Sequence, residues 1–551
     1  MKNARLTSLT IENFKSFRKA TTIPIKPLTV IVGRNNSGKS TLIQSLLLLK
    51  QTLDDPRISI PLSLDGPLVE AFSLRELTSG WPEKSVVVPG PILTLEWEGK
   101  VNGNIFNIRN KKGDKYLWDS AAPWGENSPE GRLDNQSCSC SISSKLCIDT
   151  HEIEGYAVLT GLELTSIATL NQQSQNNKIE VFYKDDFWRC SLNGQIIDNI
   201  KVEFNHFIPM ILPLDNMLSF ETDYNQIRTF FEKPLDALTK ILRESFYLSS
   251  HRDHPSSLYK APTSEPREIG IRGEFAPQIL YHNRNKFVYF LSPKPCLLGE
   301  ASITKENKLL SMPLEKAINH VMVSLGIKAP LKVADISDHV FQIHIGKANL
   351  PHVGRGLNFL FPLVELGLYA DPLRFAKLSQ DGHSPLDWID EPSFPDYEEY
   401  CNSYSHIILE EPEAHIHPKV ASRLAHYFVS LAMARRQLIV ETHNDHLVRR
   451  LRRMAVEAGA GSELEKWLLE NVAIIEVSQD ETSGESKAEV SRLTAEGGLE
   501  EHWPQEFMDE ASDEESAIFY ARLDKTKEAA AEEQINIHFI EDDEPEDEVE
   551  P

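Results

Sequence analysis

Gly33, Arg34, Asn35, Asn36, Ser37, Gly38, Lys39 and Ser40 follow one another in the order G-x-x-x-x-G-K-[ST], with Thr41 next. The glycines let backbone N–H groups curl around an anion, the lysine adds a cation, and the hydroxyl can bind a divalent metal. A nucleoside triphosphate fits this set: Lys39 would reach the β and γ phosphates, and Ser40 would coordinate Mg²⁺. ATP and magnesium are therefore the expected ligands. A second stretch, Ile407-Ile408-Leu409-Glu410-Glu411-Pro412, is an apolar run that delivers two adjacent carboxylates. A buried strand rarely ends in a charge pair unless a cation or a proton-transfer task is waiting. Glu410 is expected in the Mg²⁺ shell, and Glu411 as the general base that orients or deprotonates the attacking water. A third run, Leu438-Ile439-Val440-Glu441-Thr442-His443, ends in a histidine suited to touch the γ phosphate and sense its loss. The tract His443-Asn444-Asp445-His446 also suggests an HNH nuclease, but that metal finger needs a β-hairpin before its helix, and a single apolar strand precedes it here.

These groups must be held by particular elements. Alternation predicts strands at 6–12 and 21–25, then a buried strand at 28–32 that breaks at Gly33 into a helix over 40–53. Between 91 and 200, short alternating segments such as 92–97 and 179–183 recur between Gly, Asn and Ser clusters, which predicts an antiparallel β lobe. Helical patterns dominate 225–325, with a loop at 252–267. A strand at 340–345 leads to Gly354-Arg355-Gly356 and an apolar helix at 357–368. Strands at 407–409 and 437–441 then alternate with helices at 419–433 and from Asn444 onward. Alternating β and α with motifs at the carboxyl ends of apolar strands makes the fold class α/β, with ligands at those ends. The expected parts are an N-terminal half with P-loop and β lobe at 1–210, a mainly helical insertion at 211–345, a C-terminal half at 346–510, and an acidic, disordered tail at 511–551.

Composition bounds the function classes. A chain of 551 residues should hold roughly two to four domain-sized units. With 41% hydrophobic and 25% charged residues it reads as soluble, and no apolar run reaches the ~20 residues of a membrane span. The first 15 residues lack the apolar core of a secretory signal, so a cytoplasmic protein is expected. Cys138, Cys140 and Cys147 with His151 have zinc-ligating chemistry, but their Ser- and Asn-rich surroundings read as a loop. Net charge is −25, which disfavours nonspecific wrapping of nucleic acid. Much of that acid lies in the run EDDEPEDEVE at 541–550, so a local basic surface stays open. Arg435, Arg436, Arg449, Arg450, Arg452 and Arg453 form the densest basic cluster. Its plain reading is a solvated face with intrahelical ion pairs, and the alternative is contact with nucleic acid or a partner.

The order and wording of ENFKSF, GRNNSGKST, GRGLNFLFP, LEEPEAHIHP and ETHNDHL closely resemble the ABC-type ATPases of the RecF, SMC and OLD group. The resemblance implies an ABC-ATPase head whose two halves are split by an insertion. It places Gly354, Arg355, Gly356 and Asn358 in the signature loop, which caps the γ phosphate held by the opposite subunit. Asn358 stands where a Ser is common and Phe359 where a Gln is common, which implies slow or conditional hydrolysis. Glu413 and His415 fall in the segment that resembles the D-loop at the dimer seam, where the His-Ile-His run could otherwise be a metal pair. Within the group the chain looks most like stand-alone anti-phage ATPases, including the Septu-type ATPase also found beside retrons; Tyr247, Leu248, Arg252, 270–274 and 501–507 carry that likeness. Such ATPases pair with a separate effector, commonly an HNH endonuclease, and in the retron case with a reverse transcriptase and its DNA. OLD nucleases proper carry a Toprim domain after the head, and no strand-borne D-x-D follows His443 here.

The expected function is thus an ATP-binding and hydrolysing subunit that forms a homodimer or higher assembly through its heads and regulates a separate nuclease. Contact with nucleic acid is expected through the complex, and no membrane contact is expected. Two alternatives stand beside it: a RecF- or SMC-like DNA-repair ATPase acting on DNA directly, and a nonhydrolysing nucleotide-gated scaffold.

Overall fold

The computed structural model describes residues 1–83, 87–102, 139–170, 173–184, 187–197, 200–213, 228–293, 309–372 and 404–500. The acidic tail, the 501–507 segment and Cys138 lie outside the described residues.

Two sheets organise them. The first is antiparallel, with eight strands: β1 (Lys2–Glu12), β2 (Thr21–Pro24), β4 (Val87–Asn102), β5 (Ser139–Ile153), β6 (Tyr156–Leu170), β7 (Gln173–Lys184), β8 (Phe187–Leu192) and β9 (Gln195–Ile196), in the order β2-β1-β4-β5-β6-β7-β8-β9. This is the expected β lobe, and β1 and β2 belong to it as well. Leu9 of β1 pairs with Leu95 of β4, a contact that local periodicity cannot reveal.

The second sheet draws on both ends of the chain. It contains β3 (Leu28–Val32), β12 (Phe246–Leu248), β19 (Ser405–Glu410), β20 (Arg436–Glu441), β21 (Val472–Gln479), β22 (Ser486–Leu493) and β23 (Leu499–Glu500), in the order β12-β19-β20-β3-β21-β22-β23. The five strands from β12 to β21 run parallel. Parallel strands are covered on both faces, and β3 (LTVIV) and β20 (RQLIVE) are accordingly buried at every position. Helix α1 (Lys39–Asp54) is buried nearly all round. One hydrophobic core joins Leu42, Leu46 and Leu49 of α1 to Leu95 and Trp97 of the lobe and to Ile31, Ile408, Ile439 and Ile475 of the parallel sheet. Gln437 fastens the two sheets, its amide donating to the Leu6 carbonyl at 2.8 Å and its carbonyl accepting from the Leu6 N–H at 3.2 Å.

The 211–345 segment departs from the mainly helical expectation. Among its described residues are the helices Lys233–Arg243, Ala276–Asn283 and Leu314–Leu325, but also β12, the antiparallel pair Phe287–Phe290 with Leu310–Pro313, and a small sheet around Leu331–Ser337 and Val340–Ile345. Strand β12 belongs to the parallel sheet itself, beside β19. Three residues are too few to display a two-residue period, so the strand was hidden in an apolar run.

Among the described residues no group of three or more His, Cys, Asp or Glu side chains could hold a metal ion by itself. Cys147 is a free thiol, and the Nδ1 of His151 lies 2.8 Å from the Thr160 hydroxyl instead. No helix among the described residues is long and apolar enough to cross a membrane.

Candidate functional site

The carboxyl ends of the parallel strands β3, β19 and β20 lie side by side, and each carries one of the motifs. After β3 the chain turns sharply. Gly33 has φ 144°, and a Cβ there would sit 2.2 Å from the Val477 carbonyl of β21, so no other residue fits without moving a strand. Gly38 has φ 103°, and a Cβ there would meet the hydroxyls of Ser486 and Ser16 at 2.6 and 2.9 Å. The Ser486 hydroxyl donates to the Ser37 carbonyl at 2.7 Å, bracing the loop from behind. Arg34, Asn35 and Asn36 are exposed, and no side chain caps the N-terminus of α1. Its free N–H groups and positive dipole end are therefore open to an anion.

Lys39 is buried, and its ammonium donates to the carbonyls of Gly33 at 2.9 Å and Arg34 at 2.5 Å. Burial lowers its pKa, opposed by the nearby carboxylates of Glu441 and Glu411. The Ser40 hydroxyl donates to Oε1 of Glu441 at 2.9 Å. Sequence reasoning assigned Glu441 no role. Its signal was available, because β20 ends in an acid in direct register with Glu410 of β19.

Glu410 is held by the Tyr247 hydroxyl and the Ser250 backbone, both supplied by β12 and the turn after it. Burial raises its pKa against those two hydrogen bonds. Glu411 lies just beyond the strand in the left-handed region, φ 41°, with its N–H on the Glu441 carbonyl at 2.9 Å. A glutamate rarely adopts this backbone, and the surrounding contacts must hold it there. Its Oε1 is 2.9 Å from Nε2 of His443. The His443 ring also reaches the Gly33 backbone, so it bridges the carboxylate to the P-loop; burial, with Lys39 next, lowers its pKa. Glu413 accepts from the Thr442 hydroxyl at 2.5 Å and from the His443 N–H at 3.2 Å, which ties the segment expected as the D-loop to the histidine loop.

The segment expected as a signature loop opens helix α6 (Arg355–Tyr369). A Cβ on Gly356 would lie 2.8 Å from the His415 carbonyl, and the His415 ring stands edge-on to Phe359 with centroids 4.8 Å apart. Around Gly354 a Cβ would meet open space, and Asn358 has a buried side-chain oxygen without a hydrogen-bond partner. Arg252 connects this helix to the acids. It is 7% exposed, donates to the Phe359 carbonyl at 3.3 Å and the Glu411 carbonyl at 3.5 Å, and lies over the Phe359 ring. Burial lowers its pKa to about 10.

The arginine cluster divides by environment. Arg436 is wholly buried and donates to the carbonyls of Gly367, Ala434 and Tyr289, so it is structural rather than a surface charge. Arg449 pairs with Asp445 and Arg453 with Glu457, each at four-residue spacing, as the plain reading expected. Arg449, Arg450 and Arg453 still line a groove of about 350 Å³ together with Lys419 and His446.

Residues 5–89 match the family model "AAA ATPase domain", and residues 394–449 match the model "AAA domain, putative AbiEii toxin, Type IV TA system". Together they cover well under half of the chain. No curated protein matches it. Similar solved structures include an SMC head bound to the C-terminal winged-helix domain of ScpA (14% identity, 89% of this chain and 98% of that one, TM-score 0.36) and the SMC head domain from Thermotoga maritima (12%, 88% and 98%, 0.31). A third is an SMC head with an extended coiled coil bound to the C-terminal domain of ScpA, from Pyrococcus furiosus (11%, 89% and 96%, 0.32). Scores this low carry no argument, and the fold rests on the strand order given above. Two separate stretches thus match ATPase-domain models, one supplying β3 with its P-loop and the other β19 with its paired glutamates.

Proposed function

We propose that this chain is an ATP-binding and hydrolysing subunit that dimerises through its nucleotide-binding heads and regulates a separate effector, an HNH endonuclease of an anti-phage system of Septu or retron type. The observation that carries the nucleotide site is that Lys39, Ser40, Glu411 and His443 gather at the carboxyl ends of the parallel strands: Ser40 meets Glu441 at 2.9 Å, Glu411 meets His443 at 2.9 Å, and the His443 ring reaches the Gly33 backbone that Lys39 also holds. The exposed loop 34–36 and the open N-terminus of α1 receive the phosphates, with Gly33, Gly38 and Thr41 shaping the turn. Lys39 exchanges its two carbonyl partners for phosphate oxygens. Glu411 orients water as base, and His443 holds that carboxylate against the P-loop.

Magnesium fits these residues. Ser40, Glu410 and Glu441 are hard oxygen donors, and Oε2 of Glu441 is buried with no hydrogen-bond partner. Bound there, the metal would neutralise charge on the phosphate oxygens.

Support for a second copy comes from Gly354, Arg355, Gly356 and Asn358. A Cβ on Gly356 would meet His415 and Ile416, whereas one on Gly354 would meet open space, so the loop is packed at Gly356 and open at Gly354, where a nucleotide held by a second copy would reach it. Sizing the purified chain with and without Mg·ATP tests this. A nucleotide-dependent doubling of the 62.4 kDa mass is expected, and an unchanged mass at saturating ATP contradicts dimerisation.

Arg252 links the helix behind that loop to the carbonyl of Glu411, so it is a positioning residue for the base. Arg252→Gln is expected to keep ATP affinity within about threefold and to lower turnover at least about tenfold. In a Glu411→Gln background the same change should cost nothing further, and additive losses would mean that Arg252 does not act through Glu411.

The groove lined by Lys419, Arg449, Arg450 and Arg453 favours a second reading, in which the chain acts on DNA directly. Tight, salt-sensitive DNA binding by the purified chain alone is its mark.

A further inference from the structure

The geometry points to Glu441 as an additional acid of the metal site, one that makes triphosphate binding depend on the divalent cation. This rests on the nucleotide site proposed above and deepens it at a residue to which the motifs assign no role. Glu441 ends β20 in parallel register with Glu410 at the end of β19, on the strand next to the P-loop strand β3. It is 3% exposed. One carboxylate oxygen, Oε1, accepts from Ser40, the hydroxyl that a P-loop offers to the metal, at 2.9 Å. The other, Oε2, is buried without any hydrogen-bond partner. A buried carboxylate oxygen left bare costs free energy, and it is retained where a cation or metal-bound water completes it.

Among the described residues no three His, Cys, Asp or Glu side chains form a metal cage on their own. Magnesium does not require one, being commonly held by one or two carboxylates together with substrate phosphates. Glu410 and Glu441 would supply the carboxylates, Ser40 the hydroxyl, and the nucleotide the rest. The same arrangement has an electrostatic consequence. Glu410, Glu411 and Lys39 all act on Glu441 through their charges, and Lys39 is the buried cation of the P-loop. Without a divalent ion the carboxylates repel the nucleotide; with one they hold it.

The test is a fluorescent ATP analogue titrated into the 551-residue chain at pH 8, with excess chelator and then across a Mg²⁺ series. Wild type is expected to bind weakly in chelator and tightly in Mg²⁺. Removing one charge near the phosphates by Glu441→Gln should raise chelator-condition affinity about tenfold and raise the Mg²⁺ concentration for half-maximal binding about tenfold. Glu441→Asp, which keeps the charge, should stay near wild type in chelator. Equal affinity changes with and without metal in Glu441→Gln would show a merely structural role and overturn the inference, as would no change in either condition. A wild-type chain that binds no analogue under any condition would instead sink the nucleotide site itself.

Discussion

Glu411→Gln is expected to lower phosphate release by roughly 10²- to 10⁴-fold, the usual range for loss of a positioned general base, while leaving ATP affinity near wild type. The two effects separate because of where the residue sits. Glu411 stands one position beyond the end of β19, held by its N–H on the Glu441 carbonyl and by His443 on its carboxylate. Glu411 makes no hydrogen bond to Lys39 itself and reaches the P-loop through the His443 ring on the Gly33 backbone. Glutamine keeps the shape and can still meet His443, but it cannot take a proton from water. The variant should therefore accumulate in the ATP-bound form. Single-turnover phosphate release, compared with analogue binding on the same preparation, is the check. Equal release from wild type and variant would support a nucleotide-gated scaffold, the alternative to which Asn358 and Phe359 point in the segment expected as the signature loop.

Much of this arrangement was legible in the residues because the parallel strands are short, fully buried and therefore nearly continuous apolar runs. The stretches 28–32, 407–409 and 437–441 stood out for that reason, and each is followed at once by a motif. What escaped was nonlocal. The pairing of β1 with β4 joins residues 80 or more positions apart, and no local pattern reports it. Strand β12 is three residues long, yet it completes the sheet and carries Tyr247 to Glu410. Arg436 sat in a run of surface-looking arginines, and its burial is explained by the carbonyls of Gly367 and Tyr289 from distant segments, the nearby Ala434 carbonyl and the buried Asp371 carboxylate at 4.0 Å. Arg252 contacts residues 107 and 159 positions away, so its link to the base is a product of the fold. Glu441 is a different kind of omission. Its position was read correctly as a strand end, but the histidine two residues on drew the functional assignment.

Lys39→Ala carries the other large effect. The ammonium is buried against two carbonyls, within reach of the field of Glu441 and Glu411, and its removal leaves the P-loop without its only buried cation. Charge-assisted hydrogen bonds to phosphate contribute about 1.5–3 kcal/mol each, so loss of two should weaken Mg·ATP binding at least roughly 100-fold. The fold should survive, because the core under α1 is built by Leu42, Leu46 and Leu49 and does not depend on the lysine. A thermal melt without nucleotide, close to that of wild type, would establish this. The decisive measurement is calorimetric titration of Mg·ATP into wild type and Lys39→Ala side by side. Saturable binding by wild type, lost in the folded variant, is the predicted result; no binding by wild type, or equal binding by both, would contradict a triphosphate site built on Lys39.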